Sequence, residues 1–157
     1  MVKEEIEDSL LRTHIDNILE KNSIALSRKD ELYGIVQKFK NSGLCQRIKN
    51  ALQRFTEVPF NLKIISTNPL YQELIPVSGE DREEEKKPLI ITGIIDLVFQ
   101  EEDGWVIVDY KTDCPVREED YIKLKELYKI QISTYSRIWE EIGREKVKEN
   151  IIYFVSE

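Results

Sequence analysis

Apolar residues recur at helical spacing through the first third of the chain and at alternating positions after it, which predicts a helical segment followed by an αβ core. Between Glu4 and Glu20 the positions Ile6, Leu10, Leu11, Ile15, Ile18 and Leu19 form one stripe, with His14 on that apolar side. Ser27 followed by Asp30 has the spacing of a capping box ahead of a second stripe, Leu32, Ile35, Val36 and Phe39. Asn41-Ser42-Gly43 ends it, and a third helix is predicted from Leu44 through Gln53. From Phe55 to Ile65 the period drops to two, at Val58, Phe60, Leu62 and Ile64, as a half-buried strand requires. The stretch from Thr67 to Pro88, rich in proline and acid, predicts a long surface connection with room for a fragment of strand. Leu89 to Phe99 and Trp105 to Thr112 read as two strands joined by the turn Glu101-Glu102-Asp103-Gly104. A helix from Tyr128 to Ile142 and a buried strand from Ile151 to Val155 complete the order: helices, three strands, helix, strand. There is no internal repeat and no Gly-x-x-x-x-Gly-Lys phosphate loop, so this chain is not itself an ATPase motor.

The hairpin carries the chemistry. If Gln100 pairs with Trp105, opposed residues have numbers summing to 205 and Asp96 faces Asp109. A tighter loop at Asp103-Gly104 opposes Asp96 to Lys111 and leaves Asp109 diagonal on the same face. Either register gathers Asp96, Asp109 and Lys111, because Asp109 and Lys111 share a face. Their neighbours are apolar, so the charges are partly desolvated. Two carboxylates with Cβ atoms about 5 Å apart repel, and burying one unpaired costs several kcal/mol. A divalent cation satisfies both, and hard oxygen donors favour Mg2+, with Mn2+ as the substitute. The competing reading is a structural Asp–Lys–Asp ion cluster. A metal with a lysine suits phosphodiester hydrolysis, which needs an activated water and stabilised phosphoryl charge.

Composition constrains the rest. The chain has 157 residues, 41% of them hydrophobic, which fits a single globular domain with a helical segment over 1–53 and an αβ core over 55–157. No apolar run approaches the roughly 20 residues that span a bilayer, and the charged N-terminus has no secretory pattern, so a cytoplasmic protein without membrane partners is expected. Cys45 and Cys114 are too few for an all-cysteine iron–sulfur cluster and read as free thiols. The net charge of −7 argues against strong unaided nucleic-acid binding and favours delivery of substrate by a partner. Much of that acid is clustered, at Glu80 to Glu85 and at Glu101 to Asp103. Trp105 and Trp139 read as packing residues, and Glu57 as a surface residue or local charge partner.

The run Gly93-Ile94-Ile95-Asp96 followed by Asp109-Tyr110-Lys111-Thr112 resembles the Gly-x-x-Asp and Asp-Tyr-Lys-Thr motifs of RecB-like nucleases in the PD-(D/E)xK superfamily. The nuclease domain of the AddA component of bacterial helicase–nuclease complexes is the best match. Gln131 to Tyr135 resembles that family's Gln-x-x-x-Tyr motif, His14 its N-terminal ligand histidine, and Glu57-Val58-Pro59-Phe60 the approach to its first strand. The resemblance implies a restriction-endonuclease-like fold, a mixed central sheet flanked by helices. It implies that His14, Asp96, Asp109 and the Tyr110 carbonyl bind metal, and that Lys111 orients or activates the attacking water. Gln131 and Tyr135 would position Lys111 or the DNA backbone. The implied substrate is DNA, as single strands or ends, in double-strand break repair and recombination, with a helicase region or partner subunit beside it. Alternatives are another repair endonuclease of the superfamily, or a catalytically weak docking domain of a helicase complex.

Overall fold

The alternating segments become strands and the periodic ones helices, in two compact units divided after Asn50. The structure is a computed structural model and describes residues 2–74, 87–113, 117–143 and 145–155; Cys114 and the acidic run at Glu80 to Glu85 lie outside them.

The first unit holds α1 (Val2–Lys21), a 3-10 turn (Leu26–Arg28), α2 (Lys29–Lys40) and α3 (Gly43–Asn50). Polar contacts join α1 to α2. Asp8 accepts hydrogen bonds from the Tyr33 hydroxyl and from Gln37 Nε2, the Arg12 guanidinium stands 3.7 Å over the Tyr33 ring, and Lys29 Nζ lies 2.6 Å from Asp16 Oδ2. Of the predicted α1 stripe, Ile15 and Leu19 are buried while Leu10 and Ile18 are exposed. The buried face is thus a narrow i, i+4 line. His14, one residue and about 100° away from Ile15, is exposed rather than on the apolar side. The capping box does not form either. Ser27 already lies in the 3-10 turn, and the residue before α2 is Arg28, with no side-chain cap bond.

The second unit holds β1 (Gln53–Ile64), α4 (Pro69–Leu74), β2 (Leu89–Glu101), β3 (Gly104–Lys111), α5 (Glu118–Gly143) and β4 (Val147–Phe154). The sheet order is β1-β2-β3-β4, with β3 and β4 parallel and the other pairs antiparallel. This is the mixed sheet flanked by helices that was expected. Parallel β3 and β4 need a crossover, and α5 supplies it. The third helix stops at Asn50 instead of Gln53 because Gln53 already pairs with Gln100 in the sheet. Among the described residues, the connection after β1 holds the helix α4: Asn68 Oδ1 caps it by accepting from Leu70 N–H at 2.8 Å, and Pro69 opens it. α5 begins ten residues before the expected Tyr128, with Glu118, Glu119 and Asp120 in its first turn, where negative charge favours the helix.

The core lies between the sheet and α5. Ile64, Ile95, Val98, Ile107 and Ile138 are almost fully buried there, each such side chain contributing roughly 1.5–3 kcal/mol. Trp105 and Trp139 pack edge to face with centroids 5.0 Å apart, and Phe55 stacks on Trp105, so the tryptophans are packing residues.

β1 and β2 change face halfway along. Their pairs sum to 153 from Gln53↔Gln100 to Ile64↔Leu89, but the ladder skips Glu57 opposite Asp96. On either side of the gap, residues three apart reach the same core: Phe55 and Val58 in β1, Ile95 and Val98 in β2. A regular pleat puts such residues on opposite faces. The odd step is taken at Glu57, an exposed residue in the left-handed region with φ of 50°.

Candidate active site

The β2–β3 pairs run Glu101↔Gly104, Gln100↔Trp105, Phe99↔Val106, Val98↔Ile107 and Leu97↔Val108. Every sum is 205, which selects the first of the two registers and puts Asp96 opposite Asp109, one step past the last pair. There the strands part. Alternation of the antiparallel ladder directs the Tyr110 N–H toward β2. It donates instead to the side chain, at 2.8 Å to Asp96 Oδ2. The interruption at Glu57 and the parting at Asp96 coincide, so this carboxylate stands where β2 is irregular on both edges.

Asp109 is 3% exposed, and its Oδ2 lies 2.7 Å from Lys111 Nζ. That approach is an ion pair off the hydrogen-bonding direction, and among the described residues Asp109 Oδ2 is a buried oxygen without a hydrogen-bond partner. Burial pushes the Asp109 carboxyl above the ordinary carboxylate range. The Lys111 ammonium opposes the shift, and the Asp96 carboxylate adds to it.

Lys111 is held from the helix side. Its ammonium donates to Gln131 Oε1 at 2.8 Å and stands 4.2 Å from the Tyr128 ring centroid, in cation–π contact. Gln131 Nε2 donates to the Tyr135 hydroxyl at 2.8 Å. An ammonium only donates, so Gln131 must turn its oxygen to Lys111, and the Tyr135 oxygen takes the amide hydrogens left over. Tyr128 in turn donates to Asp113 Oδ2 at 2.6 Å, and this bond raises the phenol's pKa. The sequence reading missed Tyr128 and Asp113. The signal was present, since Tyr128 precedes Gln131 by three residues and therefore shares its helix face.

Asp96, Asp109, Lys111, Gln131 and Tyr135 thus meet in the second unit. His14 lies in the first. Glu57 sits opposite Asp96 but is exposed. Among the described residues no group of three His, Cys, Asp or Glu side chains is placed to hold a metal. Two carboxylates are present, one of them buried and paired with Lys111, and a hard divalent cation suits that donor pair.

A family model described as the PD-(D/E)XK nuclease superfamily matches residues 2–156. Among curated proteins the chain is similar to the AddA-type ATP-dependent helicase/nuclease of Thermoanaerobacter sp. (strain X514), 39% identical over 118 residues, which is 75% of this chain and 9% of that protein. The protein of the same name from Clostridium kluyveri (strain NBRC 12016) is 34% identical over 155 residues, 99% of this chain and 11% of that protein. The one from Heliobacterium modesticaldum (strain ATCC 51547 / Ice1) is 31% identical over 157 residues, 97% of this chain and 11% of that protein. The chain therefore spans about a tenth of the length of these relatives.

Proposed function

The chain belongs to the PD-(D/E)XK nuclease superfamily, and from that premise we propose that it hydrolyses DNA phosphodiester bonds with a divalent metal at Asp96 and Asp109. The observation that carries this is the Asp109 carboxylate, 3% exposed and set beside the Asp96 carboxylate and the Lys111 ammonium. Nucleases of this superfamily generally use divalent metal ions. The ion proposed here is Mg2+, with Mn2+ able to replace it, because both donors are hard carboxylates. The Tyr110 carbonyl and His14 complete the proposed ligand set. His14 serves only if the helical unit and the αβ unit act as one nuclease domain, a reading supported by a family match that runs through both. Bound there, the cation would supply Lewis-acid polarisation of a phosphoryl oxygen and a more acidic water.

The remaining work falls to the chain's own groups. Lys111 is assigned to orient the attacking water and to offset charge building on the phosphoryl oxygens. Gln131 and the Tyr128 ring keep its ammonium at one point, which lowers the entropy lost in reaching the reactive geometry. Tyr135 sets the Gln131 amide. The substrate is assigned as single-stranded DNA or DNA ends, cut in exonuclease fashion. The net charge of −7 gives little electrostatic capture of its own, so DNA is delivered by a helicase region or by a partner chain, as the names of the relatives suggest. The proposed setting is double-strand break repair and recombination in the cytoplasm. Among the described residues no helix is long and apolar enough to cross a membrane.

Calorimetric titration of the chain with Mg2+ and Mn2+ tests the metal assignment. Binding is expected in the native protein, with affinity lost in Asp109→Asn and reduced in Asp96→Asn and His14→Gln. Unchanged binding in Asp109→Asn refutes the placement.

A further inference from the structure

We propose that Phe60, seated on Gly93, is a positioning residue that sets the Lys111 ammonium through Tyr135 and Gln131. The inference rests on the nuclease reading above. Phe60 and Gly93 are directly opposed in the β1–β2 ladder. A Cβ at position 93 would lie 2.5 Å from Phe60 Cζ and 2.8 Å from Cε1, so the ring covers the space that any larger residue there would fill. An aromatic ring laid over a cross-strand glycine is a recognised device for stabilising a sheet. Here the ring's contacts continue toward the site.

The Phe60 ring meets the Tyr135 ring edge-on, with centroids 5.7 Å apart and planes at 69°. Tyrosine places its hydroxyl through two side-chain torsions, so a neighbour that fixes the ring also fixes the oxygen. That oxygen accepts from Gln131 Nε2, and Gln131 Oε1 accepts from Lys111 Nζ, each at 2.8 Å. Lys111 Nζ ends 2.7 Å from Asp109 Oδ2. Each step allows one geometry. If the Tyr135 ring swings away, Gln131 Nε2 loses its acceptor, and the amide whose oxygen receives Lys111 Nζ is anchored at one end only. Phe60 and Gly93 touch no reacting atom, and their effect reaches the chemistry through where Lys111 stands.

The test uses the full chain cutting single-stranded DNA with Mn2+ or Mg2+, with kcat, KM and melting temperature measured together. Phe60→Leu keeps most of the buried volume but removes the ring, and Gly93→Ala displaces it. Each is expected to lower kcat by roughly 10–100-fold, the range seen when groups orienting an active-site ligand are removed, with KM within about twofold. The double variant should cut no more slowly than Phe60→Leu alone, because leucine lacks the Cζ that the new Cβ strikes. Ile64→Val, in the same core but outside this line of contacts, controls for lost stability. Tyr135→Phe keeps the ring and removes the hydroxyl, and its kcat should fall to the same order. Native kcat in Phe60→Leu at a lowered melting temperature overturns the proposal, as do additive losses in the double variant. A native chain that neither cuts nor binds metal refutes the nuclease reading instead. The positioning claim is then read from the ε-methylene protons of 13C-labelled Lys111, distinct in the native protein and merged in Phe60→Leu; identical spectra overturn it.

Discussion

Replacing Lys111 by Met removes the charge that the site's own side chains set against Asp109 while keeping most of the apolar stem. The two groups are 2.7 Å apart, with side chains 13% and 4% exposed, so the pair is largely desolvated. Breaking a buried pair by removing one partner costs about 3–5 kcal/mol. A second route gives a similar limit. The stranded carboxylate can escape by taking up a proton, and holding an ordinary carboxyl neutral at pH 7.5 costs about 1.4 kcal/mol for each of roughly 3.6 pH units, about 5 kcal/mol at most. Asp109 starts above the ordinary range, so the lower end, about 3 kcal/mol, is expected. For a chain of this size that corresponds to a fall in melting temperature of roughly 6–12 °C. Both tryptophans lie in the αβ unit, Trp105 against Trp139, so intrinsic fluorescence follows the unit that holds the site. Measured in chelator, Lys111→Met should melt lower by that amount. Magnesium at a hundredfold its Kd adds about 2.7 kcal/mol to any form that binds it. The gain should be larger in the variant, where no ammonium competes for Asp109. A variant that melts within about 1 °C of the native chain in chelator refutes the claim that Asp109 is buried and charged against Lys111.

Other outcomes follow from the same geometry. Because the folded pKa of Asp109 is raised, the native state holds the extra proton. Its contribution is fully present below the ordinary carboxylate range and is lost as pH rises through the higher folded value. In chelator the native chain should therefore gain urea stability, relative to Asp109→Asn, as pH falls through that value toward the ordinary carboxylate range; parallel pH profiles contradict the shift. Glu57→Gly should raise urea stability by about 1 kcal/mol, since a left-handed non-glycine residue costs roughly 1–2 kcal/mol; a loss of stability would show that the odd step in β1 is not strained. Tyr128→Phe keeps the ring under Lys111 and loses only the bond to Asp113, so its cleavage rate should stay within about threefold of native. Tyr128→Leu also loses the cation–π contact and should slow cleavage by roughly tenfold; equal rates in the two variants contradict the contact.

What could be read from the chain was what local rules decide. The turn from Glu101 to Gly104 narrowed the hairpin to two registers, either of which gathers Asp96, Asp109 and Lys111, and the structure takes the one whose pairs sum to 205. Gln131 and Tyr135 share a helix face by their spacing, but that this face reaches Lys111 was implied only by the family resemblance; in the structure Gln131 meets Lys111 and Tyr135 meets Gln131. The change of face at Glu57 was not legible, because periodicity describes each half of β1 correctly and carries no sign of a left-handed residue between them. Leu10 and Ile18 looked like core and are exposed, since spacing shows that a stripe exists but not how much of it is covered. The helix α4 escaped notice among prolines, although Asn68 before Pro69 was a usable start signal. The polar first turns of α5 hide its start from a periodicity that begins at Tyr128, yet Tyr121 and Tyr128 both lie against Phe154 of β4.

The most direct test of the central claim is cleavage of single- and double-stranded DNA by the purified chain with Mg2+ or Mn2+, beside a chelator control, Asp109→Asn and Lys111→Ala. Metal-dependent cutting that both substitutions abolish is the predicted result. Cutting that survives in chelator or in Lys111→Ala contradicts the assignment of the site. No cutting with either metal, together with no metal binding, contradicts the catalytic reading and leaves a docking domain in its place.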